Sequence, residues 1–404
     1  MKMGGQGVRG FLIGVVIAAL LIGGCAGNNQ QRLQAGNAQP SVSALTEALS
    51  QLWNAPASNR AKQAEEIYKM AQQLGTPVVD GESMLFFYKG PAKQVTVEGA
   101  FMPPLTMERV EGTDLLMAQT EVADLDHGTI GYMLQVDGKL TKDPLTRAEQ
   151  DRTLPAEAIY RGDEVEATPE LYPQPGVPKG KTEQFDLVSS SLQATRKISV
   201  YLPPGYDAKQ VYPVVYVPDE QIAVGRMQTP VILDNMIAGK QIPSLIAVFV
   251  EANYDLRRDE YLPDGSRWAG YQNFFLNELM PEVHRRYSVS TDREDTLLMG
   301  ASNGGGFAVY MPLAHPDKFG GGIALSAAIT ADYPIPPISK AQPLKFYLTV
   351  GTLESILLHT HSYLKDGLAT AGAEVETDER PGGHDAPFWS EELVPALEWM
   401  FADS

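Results

Sequence analysis

The sequence predicts an α/β fold: a doubly wound, mostly parallel sheet with helices on both faces, preceded by a small β-sandwich and a short helical segment. Three observations carry this. From about residue 181 onward, apolar runs of strand length alternate with stretches of helical period, as in a parallel sheet covered on both sides. From Ser83 to Asp143 the period is two, punctuated by Gly90-Pro91, Gly112 and Asp137-Gly138, which suggests short antiparallel strands. Between these regions, residues 169–180 (PELYPQPGVPKG) hold four prolines and two glycines and read as an interdomain linker.

The elements follow in order. Lys2 and Arg9 precede an uninterrupted apolar run from Phe11 to Ile22, then Gly23, Gly24 and Cys25. A basic start, a short apolar core and small residues make a secretory signal. The run falls short of the roughly 20 residues of a comfortable membrane span. The stretch Leu21-Ile22-Gly23-Gly24-Cys25 resembles the lipobox of bacterial lipoproteins. That resemblance implies cleavage before Cys25, acylation of its thiol, and a protein anchored by lipid at the bacterial cell envelope, on the outer membrane or periplasmic face. Cys25 is the sole cysteine among 404 residues, so no intramolecular disulfide and no cysteine-based zinc cluster can form. A plain signal peptide or an uncleaved anchor are the other readings. Residues 25–40 are polar and read as a tether.

A helical segment is expected over residues 41–78. Leu45, Leu49, Leu52 and Trp53 share a face of a first helix, and Pro56 interrupts. A second runs from about Asn59 to Leu74, with Ala64, Ile67, Tyr68, Ala71 and Leu74 on one side and Gly75 as its stop. The sandwich is assigned residues 79–168, with strands at 84–88, 95–98, 115–118 and 132–136. The α/β domain is assigned 181–404. Its strands are expected at 198–202, 214–217, 245–250, 296–299, 323–325 and 346–350, with helices at about 228–239, 270–287, 304–314 and 356–371.

Composition limits the function. Hydrophobic residues make up 44% and charged residues 20%, a globular mix. With 32 basic against 50 acidic residues the formal charge is −18, which argues against nucleic acid as a partner.

The sharpest motif is Gly300-Ala301-Ser302-Asn303-Gly304, a G-x-S-x-G between an apolar strand and a helical stretch. That context suits a nucleophile elbow, in which small neighbours let the serine oxygen stand clear above the sheet at a helix N-terminus. The N–H of Asn303 is the expected first oxyanion donor. Otherwise the segment is a glycine-rich turn packing strand on helix.

A serine needs a base. In the α/β-hydrolase order of serine, acid, histidine, four of the six histidines follow Ser302. His315 is too close to the elbow helix to fold back over it. His359 and His361 stand two apart on one helix, face different ways, and make a poor metal pair. His384, in Pro381-Gly382-Gly383-His384-Asp385 after the last strand-like run, is the candidate base. Glu354, leaving the strand Phe346–Val350, is the candidate acid, with Asp332, Asp366 and Asp378 as alternatives.

These residues resemble the esterase branch of the α/β-hydrolases, most closely the enterochelin (ferric enterobactin) esterases. The likeness spans about 83–400. Tyr201-Leu202-Pro203-Pro204-Gly205-Tyr206, Tyr212-Pro213 through Tyr216, Asn277-Glu278-Leu279-Met280-Pro281, Gly300 to Gly305, Gly351-Thr352-Leu353-Glu354 and Gly382-Gly383-His384-Asp385 with Trp389 match family motifs in order. Upstream, Gly112-Thr113-Asp114-Leu115, Tyr132 and Asp143-Pro144-Leu145 look like the family's immunoglobulin-like N-terminal domain. The resemblance implies a serine carboxylester hydrolase needing no cofactor or metal, acting on a siderophore ester. A carbohydrate-linked (feruloyl or acetyl) ester is the alternative substrate, and an inactive hydrolase fold serving as a surface binding lipoprotein the alternative function. The family's Asp-Gly-Gln reads here Asp219-Glu220-Gln221, making the N–H of Glu220 the expected second oxyanion donor. Glu220 would repel an anionic substrate. Arg257 and Arg258 are therefore the expected substrate-binding cations, ahead of Arg226 and Arg267, and Trp389 a further substrate contact.

Overall fold

The computed structural model describes residues 40–151, 153, 154, 156–329 and 333–402. Cys25, the apolar run before it and most of the tether lie outside the described residues, as does Asp332. Helix α1 (Val42–Trp53) starts where the Ser41 hydroxyl accepts the Ala44 N–H, and α2 (Ala57–Leu74) stops at Gly75 with φ +86°. Leu45, Leu49 and Leu52 are buried, but Trp53 is 55% exposed. At about 100° per residue, Trp53 lies some 80° round the helix from Leu45, at the rim of the apolar stripe and in the last turn. On α2, Ala64, Ile67 and Ala71 are buried, with Tyr68 and Leu74 half-buried.

The next region is two antiparallel sheets. Its strands are β1 (Val78–Asp80), β2 (Ser83–Lys89), β3 (Val95–Gly99), β4 (Leu105–Thr106), β5 (Glu108–Arg109), β6 (Leu115–Glu121), β7 (Thr129–Val136), β8 (Lys139–Thr141), β9 (Glu149–Gln150) and β10 (Ala158–Arg161). One sheet runs β1-β2-β6-β5; the other runs β4-β3-β7-β10-β9, with β8 paired to β7. Met84 and Phe86 of β2 pack with Val95, Val97, Tyr132 and Leu134 of the facing sheet. Leu85 and Phe87 face the other way, onto Leu45, Leu52 and Ile67 of the helices. This explains why β2 reads as a solid apolar run: the helical hairpin covers the face that a two-layer sandwich would leave in water.

The α/β region has eight strands: β11 (Lys181–Ser189), β12 (Ala194–Leu202), β13 (Val214–Pro218), β14 (Ile246–Val250), β15 (Thr296–Ala301), β16 (Gly321–Leu325), β17 (Lys345–Gly351) and β18 (Glu374–Arg380). Their order is β11-β12-β14-β13-β15-β16-β17-β18, parallel from β14 through β18 and antiparallel at β11 and β12. The helices are α3 (Glu220–Ala223), α4 (Thr229–Gly239), α5 (Arg257–Tyr261), α6 (Trp268–Phe274), α7 (Met280–Arg286), α8 (Asn303–Ala314), α9 (Ser355–Ala371) and α10 (Ala386–Met400). Val215, Val217, Ala247, Phe249, Leu297 and Met299 share a core with α4 and α10, while Val214, Tyr216, Ile246, Val248 and Leu298 pack with α6, α7 and α8. Helices thus line both faces of the sheet. The chain reverses direction around β13 and β15, and the carboxyl ends of such strands are where open α/β sheets bind ligands.

The expected helix over 270–287 is α6 and α7 joined by a π-helical turn at Phe275–Leu279. Pro281 has no N–H to give the preceding turn, which fits a widened helix there. Residues 169–180 are tied down rather than free: Leu171 enters the α/β core, and Asn235 of α4 donates to the carbonyls of Glu170 and Tyr172 at 2.7 and 2.8 Å.

Candidate active site

Ser302 stands between the end of β15 and the first residue of α8, at φ +59° and ψ −121°. A non-glycine residue there is strained, and the strain is held by its surroundings. Its N–H donates to Leu325 O at 2.9 Å, and its carbonyl accepts from Ala328 and Gly306 at 2.9 and 3.0 Å. The turn closes tightly enough that a Cβ at Gly300 would lie 2.3 Å from Gly304 O, and one at Gly306 2.1 Å from Ala328 O. The small residues of the motif are thus required by close approach of backbone to backbone.

His384 lies in the loop between β18 and α10. Its Nδ1 is 2.6 Å from Oε2 of Glu354, which is fully buried just after β17. The other carboxylate oxygen of Glu354 accepts from Ser326 Oγ at 2.7 Å and Gly351 N at 2.9 Å. With Nδ1 engaged, Nε2 is the ring nitrogen without a hydrogen-bond partner among the described residues. Ser302 and His384 line one cleft of about 490 Å³. The structure therefore brings together the serine, histidine and glutamate that the sequence singled out. Among the alternative acids, Asp366 is on α9 and Asp378 on β18.

Two residues around this arrangement were not, or not fully, read from the sequence. Trp389, expected to touch substrate, does line the cleft. Its indole also meets the His384 ring edge-on, with centroids 4.9 Å apart and planes at 84°, while Nε1 donates to Ser326 Oγ at 2.8 Å. Ser326, fully buried at φ +48°, thus links Glu354 to Trp389 and was missed. No motif surrounds it; its position one residue past the parallel strand β16, on the carboxyl edge of the sheet, was the available signal.

The sandwich grips the histidine loop. Thr129 N–H donates to Pro381 O at 3.0 Å, and Gly131 N–H to an oxygen of Asp385 at 3.3 Å. Asp385, buried at the start of α10, also takes the Phe388 N–H at 2.9 Å. Burial pushes its carboxyl well above the usual carboxylate range, which favours the protonated form.

The expected oxyanion and cation sites differ in outcome. Asn303 begins α8, and no hydrogen bond among the described residues engages its N–H, as befits the first turn of a helix. Glu220 is absent from the cleft lining, where Gln221 appears instead. The Glu220 carboxylate turns toward β12, accepting from Ser199 Oγ at 2.8 Å with Lys197 Nζ at 3.9 Å, so the repulsion expected from its charge is aimed away from the cleft. Arg257 lines the cleft, but its guanidinium is taken up. It binds both oxygens of Asp219 at 2.6–2.9 Å and donates to Ala301 O at 2.9 Å, stapling the end of β13 to the elbow. Arg258 lies outside the cleft lining. It is over half exposed and pairs with Asp264 at 2.5 Å, because it points outward from the one-turn helix α5. Arg267 pairs with Glu260 at 3.5 Å. Arg226 does line the cleft, held by Glu157 of the sandwich.

Ser302 on its strand-to-helix elbow and His384, tethered by the buried Glu354, thus share one cleft at the carboxyl edge of a parallel sheet. Residues 189–400 match the Esterase family, described as "Putative esterase", and the chain belongs to that family. It is similar to enterochelin esterases. The iron(III) enterobactin esterase of Dickeya dadantii is 24% identical over 238 residues, 54% of this chain and 54% of that protein. An uncharacterised Bacillus subtilis protein, YjcH, is 23% identical over 237 residues, 55% of this chain and 98% of its own length. The chain thus spans about half of the Dickeya esterase and nearly all of YjcH. The crystal structure of ferric enterobactin esterase from Salmonella typhimurium superposes with a TM-score of 0.64 at 20% identity, covering 81% of this chain and 96% of that one. That agreement extends the shared fold beyond the α/β region.

Proposed function

We propose that the protein is a serine carboxylester hydrolase, exported and lipid-anchored through Cys25, with Ser302, His384 and Glu354 as its catalytic residues. The observation that carries this reading is the 2.6 Å contact between Glu354 and His384, on separate loops, with His384 sharing a cleft with Ser302. Glu354 fixes the imidazole with its Nδ1 proton toward the carboxylate, leaving Nε2 to accept the Ser302 hydroxyl proton as Oγ attacks the ester carbonyl. The oxyanion of the tetrahedral intermediate meets the Asn303 N–H and the positive end of α8. His384 then gives its proton to the leaving alkoxide, and water resolves the acyl-enzyme by the same route in reverse. On the likeness to enterobactin esterases, the substrate is an ester of the siderophore trilactone class.

A fluorophosphonate probe tests the chemistry. Wild type should label and Ser302→Ala should not, with ester turnover falling at least ~10³-fold in that variant. Equal labelling of the two, or none of wild type while the protein is folded, would overturn the reading. For the anchor, full-length protein made in a bacterial host should partition with membranes, and Cys25→Ala should not.

A further inference from the structure

Each arginine lining the cleft is paired with a carboxylate. Arg257 is bound by Asp219, whose carboxylate takes three hydrogen bonds from the guanidinium. Arg226, on the loop between α3 and α4, keeps about a third of its side chain exposed, and its Nη2 lies 2.7 Å from Oε2 of Glu157. Glu157 is 1% exposed and comes from the sandwich, just ahead of β10. Asp385 adds another carboxyl on the same wall. Among the described residues, no cation lining the cleft is left without a carboxylate. The remaining wall includes Met133, Ile222, Tyr254 and Trp389, which suits apolar and aromatic groups.

Resting on the esterase reading, we propose that this cleft selects uncharged carboxylic esters over polyanionic ones, and that Glu157 sets the selectivity by neutralising Arg226. A polyanion entering the cleft gives up its water and meets paired charges, so nothing offsets its desolvation. The chain's formal charge of −18 repels it at long range as well. An uncharged aromatic ester meets neither penalty. A ferric tris-catecholate is a polyanion, whereas the iron-free catechol trilactone is uncharged near neutral pH, so the two separate on this wall.

Glu157 is faced by Arg226 across the cleft, by Asp151 within its own domain and by Asp385 at the start of α10. Burial pushes its carboxyl up to about 7 against the pull of Arg226. Below that pH Glu157 is neutral and Arg226 is released to meet an anion.

The test uses two matched pairs: methyl para-acetoxybenzoate against para-acetoxybenzoate, and the iron-free catechol trilactone against its ferric complex. The readout is the ratio of kcat/KM, neutral over anionic, within each pair. Wild type should favour the neutral member by about tenfold or more at low salt, and the ratio should shrink as added salt screens the repulsion. Glu157→Gln should narrow the ratio at least threefold, and Arg226→Gln should widen it. Because both members of a pair meet the same catalytic residues, effects common to their chemistry cancel in the ratio. The wild-type ratio should therefore narrow as pH falls through about 7, while that of Glu157→Gln stays flat. The salt and pH series need only wild type, so they stand even where a variant fails to fold. Wild type that labels with fluorophosphonate but prefers the anionic esters, or a ratio unmoved by Glu157→Gln in folded protein, overturns the selectivity proposal alone. Failure of wild type to label overturns the esterase reading and this proposal together.

Discussion

Ser326 touches no reacting atom in the proposed mechanism, yet it joins two side chains that hold the histidine. Its hydroxyl gives its proton to Glu354 and receives that of the Trp389 indole, with both contacts buried. Losing it leaves a charged acceptor short of one hydrogen bond and an indole N–H with none, a defect of about 1.5–3 kcal/mol for a bond to a charged group. Ser326→Ala should therefore lower kcat by about tenfold or more with KM little changed, because the interaction positions the base rather than the substrate. Trp389→Phe keeps an aromatic edge on His384 but removes the indole donor. If the three groups act as one unit, the double variant falls short of the sum of the single effects in a double-mutant cycle. Strict additivity, or a loss confined to thermal stability with kcat unchanged, would show that Ser326 is only packing. This is also where sequence reading stops. Ser302 announces itself because the elbow's steric demands are met by its immediate neighbours, and His384 because Gly382 and Gly383 sit beside it. Ser326 acts through partners 28 and 63 positions away, and a lone serine has no local signature for that.

The loop from Pro381 to Asp385 is the element on which the arrangement depends, and it is clamped on two sides. On one side Leu353 N–H donates to Gly382 O at 3.1 Å, tying the histidine loop to the glutamate loop. On the other, a Cβ placed on Gly383 would come within 2.2 Å of Ala100 O, just beyond β3. Gly383→Ala must therefore push the loop or the sandwich aside. A displacement of about 1 Å at a catalytic group can cost on the order of 10²-fold in rate. The variant should lose activity on that scale while its far-ultraviolet circular dichroism stays native; full activity would mean that the sandwich does not fix the base. The sequence showed the central strands because burial on both faces makes them continuous apolar runs, as in Val214–Pro218 and Ile246–Val250. It did not show β11, an edge strand of mixed residues (KTEQFDLVS) exposed along much of its length. Nor did it show α10, whose residues are buried nearly all round, so that APFWSEELVPALEWM carries no clean amphipathic stripe. The period-two reading of residues 83–143 found the sandwich but not the helical hairpin's place against it, because contact between the two is a tertiary fact.

At the scale of the whole molecule, the sandwich and the α/β region are joined through buried charge. Glu391 of α10 accepts from Thr129 at 2.5 Å and Arg161 at 2.8 Å on the sandwich side, and from Arg380 of β18 at 3.0 Å. Its neighbour Glu392 accepts from Arg380 at 2.5 Å and from Thr349 at 3.1 Å. Burial pushes Glu392 up to about 7 from an ordinary 4.5, despite Arg380, with Asp378 adding to the rise. Glu157, at the cleft end of the same junction, rises to about 7 for the same primary reason. A carboxyl whose folded value is raised binds its proton more tightly in the folded chain than in the unfolded one. Its contribution to stability is fully present below pH 4.5 and is lost as pH rises toward 7. Glu392→Gln removes that titration while preserving size and a hydrogen-bonding amide. Melting temperatures measured across this window should show the variant gaining on wild type by a few degrees as pH rises from 4.5 to about 7, then running parallel to it above. A constant difference at every pH would mean that Glu392 is ionised throughout, with Arg380 outweighing burial. A variant that instead loses ground to wild type as pH rises would mean that the ion pair, rather than the protonated acid, holds the two regions together.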